Sequence, residues 1–160
     1  MYPGSSRYVL FTQPVLEHMY SYAQRRIWQT EAGGEIFCPT PESSSLIINS
    51  VAGPNPKDRR SRYSWNPDNK AADEDRLRHF LKGQHAVGLW HTHPECSPNP
   101  SGQDRETTRD YLEAFQGDRS SYLMVIIGNQ GNPPSMAVWV ATLGRHGDWL
   151  KLEESVIPLI

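Results

Sequence analysis

The stretch Gly88-Leu-Trp-His91-Thr-His93-Pro94, running on through Glu-Cys-Ser-Pro-Asn-Pro100 to Ser101-Gly-Gln-Asp104, decides how this chain is read. The apolar run Ala86-Val-Gly-Leu-Trp90 predicts a buried strand that ends on the first histidine. In an extended chain residues i and i+2 point the same way, so His91 and His93 face one side while Thr92 faces the other. Pro94, Pro98 and Pro100 restrict the turn that follows and lower the entropy lost in holding its two ends together. Ser101 and Asp104 then open a predicted helix from Ser101 to Phe115, with Tyr111, Leu112 and Phe115 toward the core. Ser-x-x-acid is also the pattern of a capped helix start. Two strand-borne imidazoles and a helix-borne carboxylate, however, make up the three-ligand set with which catalytic zinc is commonly held. A His-x-His pair alone is weak evidence; its combination with the proline turn and the helix-opening serine and aspartate favours metal over chance capping.

Outward from this stretch, Pro14 to Ile27 predicts a helix, because Val15, Leu16, Met19, Tyr22, Ala23 and Ile27 recur every three or four positions. Glu31-Ala-Gly-Gly34 breaks it. Ile36-Phe37 and Leu46 to Val51 read as two strands of a hairpin. Gly53 to Arg62 has the composition of an exposed loop, whose Arg59, Arg60 and Arg62 either dock an acidic partner or stay solvated, the commoner outcome. Ala71 to Leu81 reads as a helix with Leu77, Phe80 and Leu81 on one side. Tyr122 to Gly128 and Met136 to Ala141 read as strands, and Trp149 to Ile157 as an edge strand. This order predicts an α/β (α+β) fold, a mixed sheet flanked by helices, in a single domain over residues 1–160.

Composition narrows the function classes. With 37% hydrophobic and 21% charged residues the chain is expected to be soluble, and 16 basic against 18 acidic residues argue against nucleic acid as a partner. No apolar run suits a membrane span, and the N-terminus lacks the pattern of a secretion signal, so a cytoplasmic location is expected. Cys38 and Cys96 are too few for a disulfide framework.

Hydrolysis at such a site also needs a base. Glu31, Glu35, Glu42 and Glu95 are all candidates. Glu31 precedes Gly33-Gly34, whose missing side chains permit close backbone packing; Glu95 is nearest in sequence but lies in the turn. A zinc nucleobase deaminase is excluded, because its His-x-Glu and Pro-Cys-x-x-Cys set is absent.

These residues resemble the JAB/MPN metalloprotease family, whose signature is a distant glutamate, then His-(Ser/Thr)-His-Pro, then Ser-x-x-Asp. The resemblance implies a curved sheet flanked by helices, with His91, His93 and Asp104 as Zn2+ ligands, Glu31 as general base and Ser101 as donor to the developing oxyanion. One departure stands out: where the family continues from the second glycine with apolar residues and another glycine, this chain has Glu35-Ile-Phe-Cys38. The wording Trp-His-Thr-His-Pro-Glu is similar to small prokaryotic members encoded beside E1- and E2-like enzymes, including those of CBASS anti-phage operons. It implies an isopeptidase that cleaves after the C-terminal tail of a ubiquitin-like protein or a CD-NTase conjugate. Two other readings compete: a noncatalytic scaffold on the same fold, which typically loses the ligands, and a zinc hydrolase of a small amide or peptide.

Overall fold

The computed structural model describes residues 8–115, 119–142 and 149–154. Its central strand is β7 (His85–Thr92), buried along nearly its whole length and paired antiparallel with β2 (Gly33–Cys38) and parallel with β8 (Ser121–Ile127). A parallel pair needs a crossover, and the turn after His93 followed by α3 (Gly102–Ala114) supplies it. Beyond β8 lie β9 (Met136–Thr142) and the edge strand β10 (Trp149–Lys151), and beyond β2 lies the short β4 (Ser50–Val51). The order is β10-β9-β8-β7-β2-β4, the expected mixed sheet. No helix among the described residues is long and apolar enough to cross a membrane.

Alternation along β8 divides the core into two layers. Leu123, Val125 and Ile127 pack with Val15 and Met19 of α1 (Gln13–Ser21), while Met124, Ile126 and Tyr122 pack with Leu112 of α3 and with Trp65. On β7 a register shift opposite Ile36 and Phe37 pairs Gly88 with Ile36 and Ala86 with Phe37, leaving Val87 as an extra residue. Past the bulge Trp90 and Thr92 face the α1 layer, and Leu89 and His91 face the α3 layer. The histidines are thereby aimed at the start of α3.

Several sequence expectations change. The first helix stops at Ser21 instead of continuing to Ile27, because the chain turns to bring Glu31 back to the sheet. Gln24, buried in that turn, donates to the carbonyls of Gln29 and Arg62, and Ile27 and Trp28 are left exposed. The run from Leu46 to Val51 divides at Asn49: β3 (Leu46–Ile48) pairs parallel with β1 (Val9–Phe11), and only β4 pairs with β2. The loop expected from Gly53 to Arg62 instead carries a strand, β5 (Arg59–Ser61), which pairs antiparallel with β6 (Ser64–Asn66). The next helix, α2 (Asn69–Phe80), turns Ala72 and Asp75 inward and leaves Leu77, Phe80 and Leu81 exposed, because Arg76 is drawn to Glu35. Of the strand expected from Trp149, residues 155–157 lie outside the described residues. Cys38 and Cys96 are both free thiols.

Candidate metal centre

The end of β7 brings together what the sequence spaced along one segment. His91 Nε2 and His93 Nε2 lie 2.8 Å apart. Asp104 Oδ1 stands 3.1 Å from the first and Oδ2 3.1 Å from the second. The three ligand atoms lie within 4.8 Å of one another, and Cys96 is not among them. Tetrahedral zinc ligands at about 2.0–2.1 Å sit roughly 3.3 Å from each other, so this donor set has the right chemistry and needs to open only slightly. The outer Nδ1 atoms of both histidines are buried without a hydrogen-bond partner among the described residues, which leaves Nε2 as the nitrogen each ring offers the shared site.

The helix start serves two purposes at once. Ser101 Oγ accepts from the Asp104 amide at 3.1 Å, and the Ser101 amide donates to Asp104 Oδ2 at 2.6 Å, a complete capping box. The same Oδ2 faces His93, so capping orients the carboxylate toward the imidazoles and is compatible with a ligand role for Asp104. Burial tends to raise the Asp104 carboxyl, but hydrogen bonds from His91 and His93 hold it well below the ordinary carboxylate range. Burial depresses His93, yet Asp104 outweighs it and the imidazole is raised overall.

Of the four candidate bases, Glu31 is the one that comes within 4.0 Å of this cluster, Oε1 to His93 Nε2, while Glu95 acts on His93 and Glu31 only through its charge at longer range. It is buried, and that desolvation pushes its carboxyl up to about 7 against the pull of His93, the value wanted for a base working near neutrality. Glu35 accepts from Arg76 Nη2 at 2.8 Å, Arg76 Nε at 3.2 Å and the Tyr122 hydroxyl at 3.1 Å. Glu42 is exposed beside Arg119, and Glu95 is exposed in the turn.

The backbone around Glu31 is fastened from both sides. On one, its amide donates to the Ser61 carbonyl at 2.8 Å and Arg60 Nε donates to its carbonyl at 2.5 Å. On the other, the Ala32 amide donates to Thr92 Oγ1 at 3.0 Å, the Thr92 amide to the Ala32 carbonyl at 2.9 Å, and the Thr92 hydroxyl to Gln24 Oε1 at 3.0 Å. The residue between the histidines thus ties them to the segment that carries Glu31. Strand alternation turns Thr92 away from the two imidazoles, but no short-range pattern specifies its partners. Trp65, which no short-range pattern marks, stacks near His91 with ring centroids 6.2 Å apart and donates its indole N–H to Asp58. Gly33 makes room for it, since a Cβ there would come 2.6 Å from the Trp90 carbonyl and 2.7 Å from the Trp65 ring. At Gly34 a Cβ would meet the Ala52 carbonyl at 1.9 Å.

Residues 12–142 match the family Prok-JAB, the prokaryotic homologs of the JAB domain. A relative from Pseudomonas aeruginosa (strain BWHPSA011 / Pa011) named CD-NTase/cGAS isopeptidase is 31% identical over 121 residues, spanning 74% of this chain and 75% of that protein. Among solved structures, one from Desulfitobacterium hafniense matches with a TM-score of 0.66 at 18% identity, covering 91% of this chain and 90% of its own. Another, from Salinibacter ruber (strain DSM 13855), matches with a TM-score of 0.54 at 17% identity, covering 94% and 92%. Both are likenesses of fold.

Proposed function

This chain belongs to the prokaryotic homologs of the JAB domain, and on that premise we propose that it is a zinc-dependent isopeptidase. In this reading it hydrolyses the amide bond after the C-terminus of a ubiquitin-like or CD-NTase-type protein, in the cytoplasm, in functional association with E1/E2-like enzymes and anti-phage defence. The relative's name supports the bond type and the CD-NTase side of the substrate. The observation that carries the reading is the convergence of His91, His93 and Asp104 with a buried Glu31 carboxyl 4.0 Å from His93.

His91, His93 and Asp104 would hold the ion. Zinc, when bound, supplies a Lewis acid that acidifies water and polarises a carbonyl. Glu31 accepts a proton from the attacking water and returns it to the leaving amine as the C–N bond breaks, which its near-neutral carboxyl suits. Ser101 Oγ already accepts from the Asp104 amide, so its own hydroxyl proton is free to point at the developing oxyanion.

Elemental mass spectrometry of wild type beside Asp104→Ala is the first test, with near-stoichiometric zinc expected in the former and strong loss in the latter. With zinc in place, wild type is expected to release the free C-terminus from a CD-NTase joined to a lysine peptide. Full activity in Glu31→Gln would refute the assigned base, and zinc-loaded protein that binds the conjugate without cleaving it would restore the scaffold reading.

A further inference from the structure

Beside the hairpin that holds Glu31 lies a surface the mechanism does not use. Ile27, Trp28 and Tyr63 are 79%, 70% and 75% exposed, an unusual concentration of large apolar side chains in solvent. Two of them carry a guanidinium: Arg26 stands 5.3 Å from the Trp28 ring centre and Arg62 stands 5.6 Å from that of Tyr63. Arg62 Nη1 donates to the Arg26 carbonyl at 3.2 Å, joining the two arginine–aromatic pairs, and Arg62 Nε donates to the Tyr63 hydroxyl at 3.3 Å. Beneath them, the buried Gln24 donates to the Arg62 carbonyl at 2.8 Å and receives the Thr92 hydroxyl. The patch is therefore tied through Gln24 and Thr92 to the end of β7.

Its charge is unbalanced. Arg25, Arg26 and Arg62 have no carboxylate partner among the described residues, and neither do Arg59 and Arg60 on the neighbouring hairpin, so positive charge on this side goes uncompensated. Aromatic residues and arginine are the types that dominate protein interface energetics, and side chains already held in place lose little entropy on binding. The exposed Ile27 suits a protein surface better than a nucleic acid.

We infer that Ile27, Trp28 and Tyr63, with Arg26 and Arg62, form a docking surface for the folded body of the protein substrate, which presents acidic side chains around an apolar centre. This rests on the isopeptidase reading of the adjacent site: the tail reaches Glu31 while the body sits on the patch.

The test compares two substrates on zinc-loaded protein: a CD-NTase joined to a lysine peptide, and the isolated tail peptide carrying the same isopeptide bond. Arg26→Glu and Trp28→Ala are each expected to lower kcat/KM for the conjugate tenfold or more relative to the tail peptide, through KM. A ratio within twofold of wild type overturns the proposal. Anisotropy binding of the conjugate to Glu31→Gln protein separates the two readings. If wild type cleaves neither substrate the isopeptidase reading fails, while tenfold weaker binding after Arg26→Glu still supports the surface and unchanged binding overturns it. A 20-nucleotide oligothymidylate that displaces the conjugate and is itself lost in both variants overturns it in favour of nucleic acid.

Discussion

Two buried glutamates four residues apart, Glu31 and Glu35, occupy opposite chemical situations. Burial raises the carboxyl of both. Glu35 sits on the α2–α3 side of the sheet, gripped by two nitrogens of Arg76 and by the Tyr122 hydroxyl. Glu31 has its backbone held by Ser61, Arg60 and Thr92 through its neighbour Ala32, while its carboxylate faces His93 at a distance longer than a hydrogen bond. What separates the two is whether fixed donors occupy the carboxylate oxygens or hold only the backbone, leaving the oxygens for a proton.

The largest expected break in this comparison comes from Glu31→Gln, which keeps the shape but cannot take a proton. It should lower kcat about a thousandfold with zinc content unchanged, within the range ordinary for general acid–base catalysis. Retained activity in a quantitative cleavage assay would place the base elsewhere.

The next effect is on stability in metal-free protein. The folded Glu31 carboxyl lies above its unfolded value of 4.5, at about 7, so the folded state binds more protons between those limits. The associated stability is fully present below pH 4.5 and is lost as pH rises through about 7, amounting to at most about 3 kcal/mol. Urea denaturation across that window should show a decline that Glu31→Gln flattens. Identical slopes in the two proteins would mean that Glu31 is not strained by burial.

Glu35→Gln should act in the opposite manner, costing stability and sparing chemistry. It removes the countercharge of a buried pair, but Arg76 is partly exposed, so the loss should be roughly 2 kcal/mol, below that of a fully buried pair. Its kcat per folded molecule should stay within twofold of wild type; a hundredfold loss would make Glu35 part of the reaction. Smallest is Tyr122→Phe, which deletes one donor to Glu35 and should cost about 1 kcal/mol in thermal denaturation. A cost several times larger would show Tyr122 to be an essential donor to the cluster.

The convergence of His91, His93 and Asp104 is legible in the sequence because it is written in short-range patterns. Strand alternation aims His91 and His93 together, and helix capping turns Asp104 back toward them. The departure at Glu35 was visible in the sequence but not its meaning, since Arg76 lies forty-one residues away. Likewise helical spacing carries α1 past Ser21, and loop composition hides the β5–β6 hairpin. Ile27 falls at helical spacing from Ala23, and only the pull of Gln24 and Glu31 toward partners across the fold ends the helix early.

From the residues alone came the mixed sheet, the strand ending on His91 and the helix opening at Ser101, along with the resemblance that singled out Glu31. The tertiary structure alone decided which carboxylate meets the histidines and which is locked on Arg76. It also set which apolar side chains, Ile27, Trp28, Leu77, Phe80 and Leu81 among them, remain in solvent. The division has one physical cause. Periodicity and capping act over a few residues, whereas the partner of a buried carboxylate and the neighbours of an apolar side chain are set by strand pairings between distant segments.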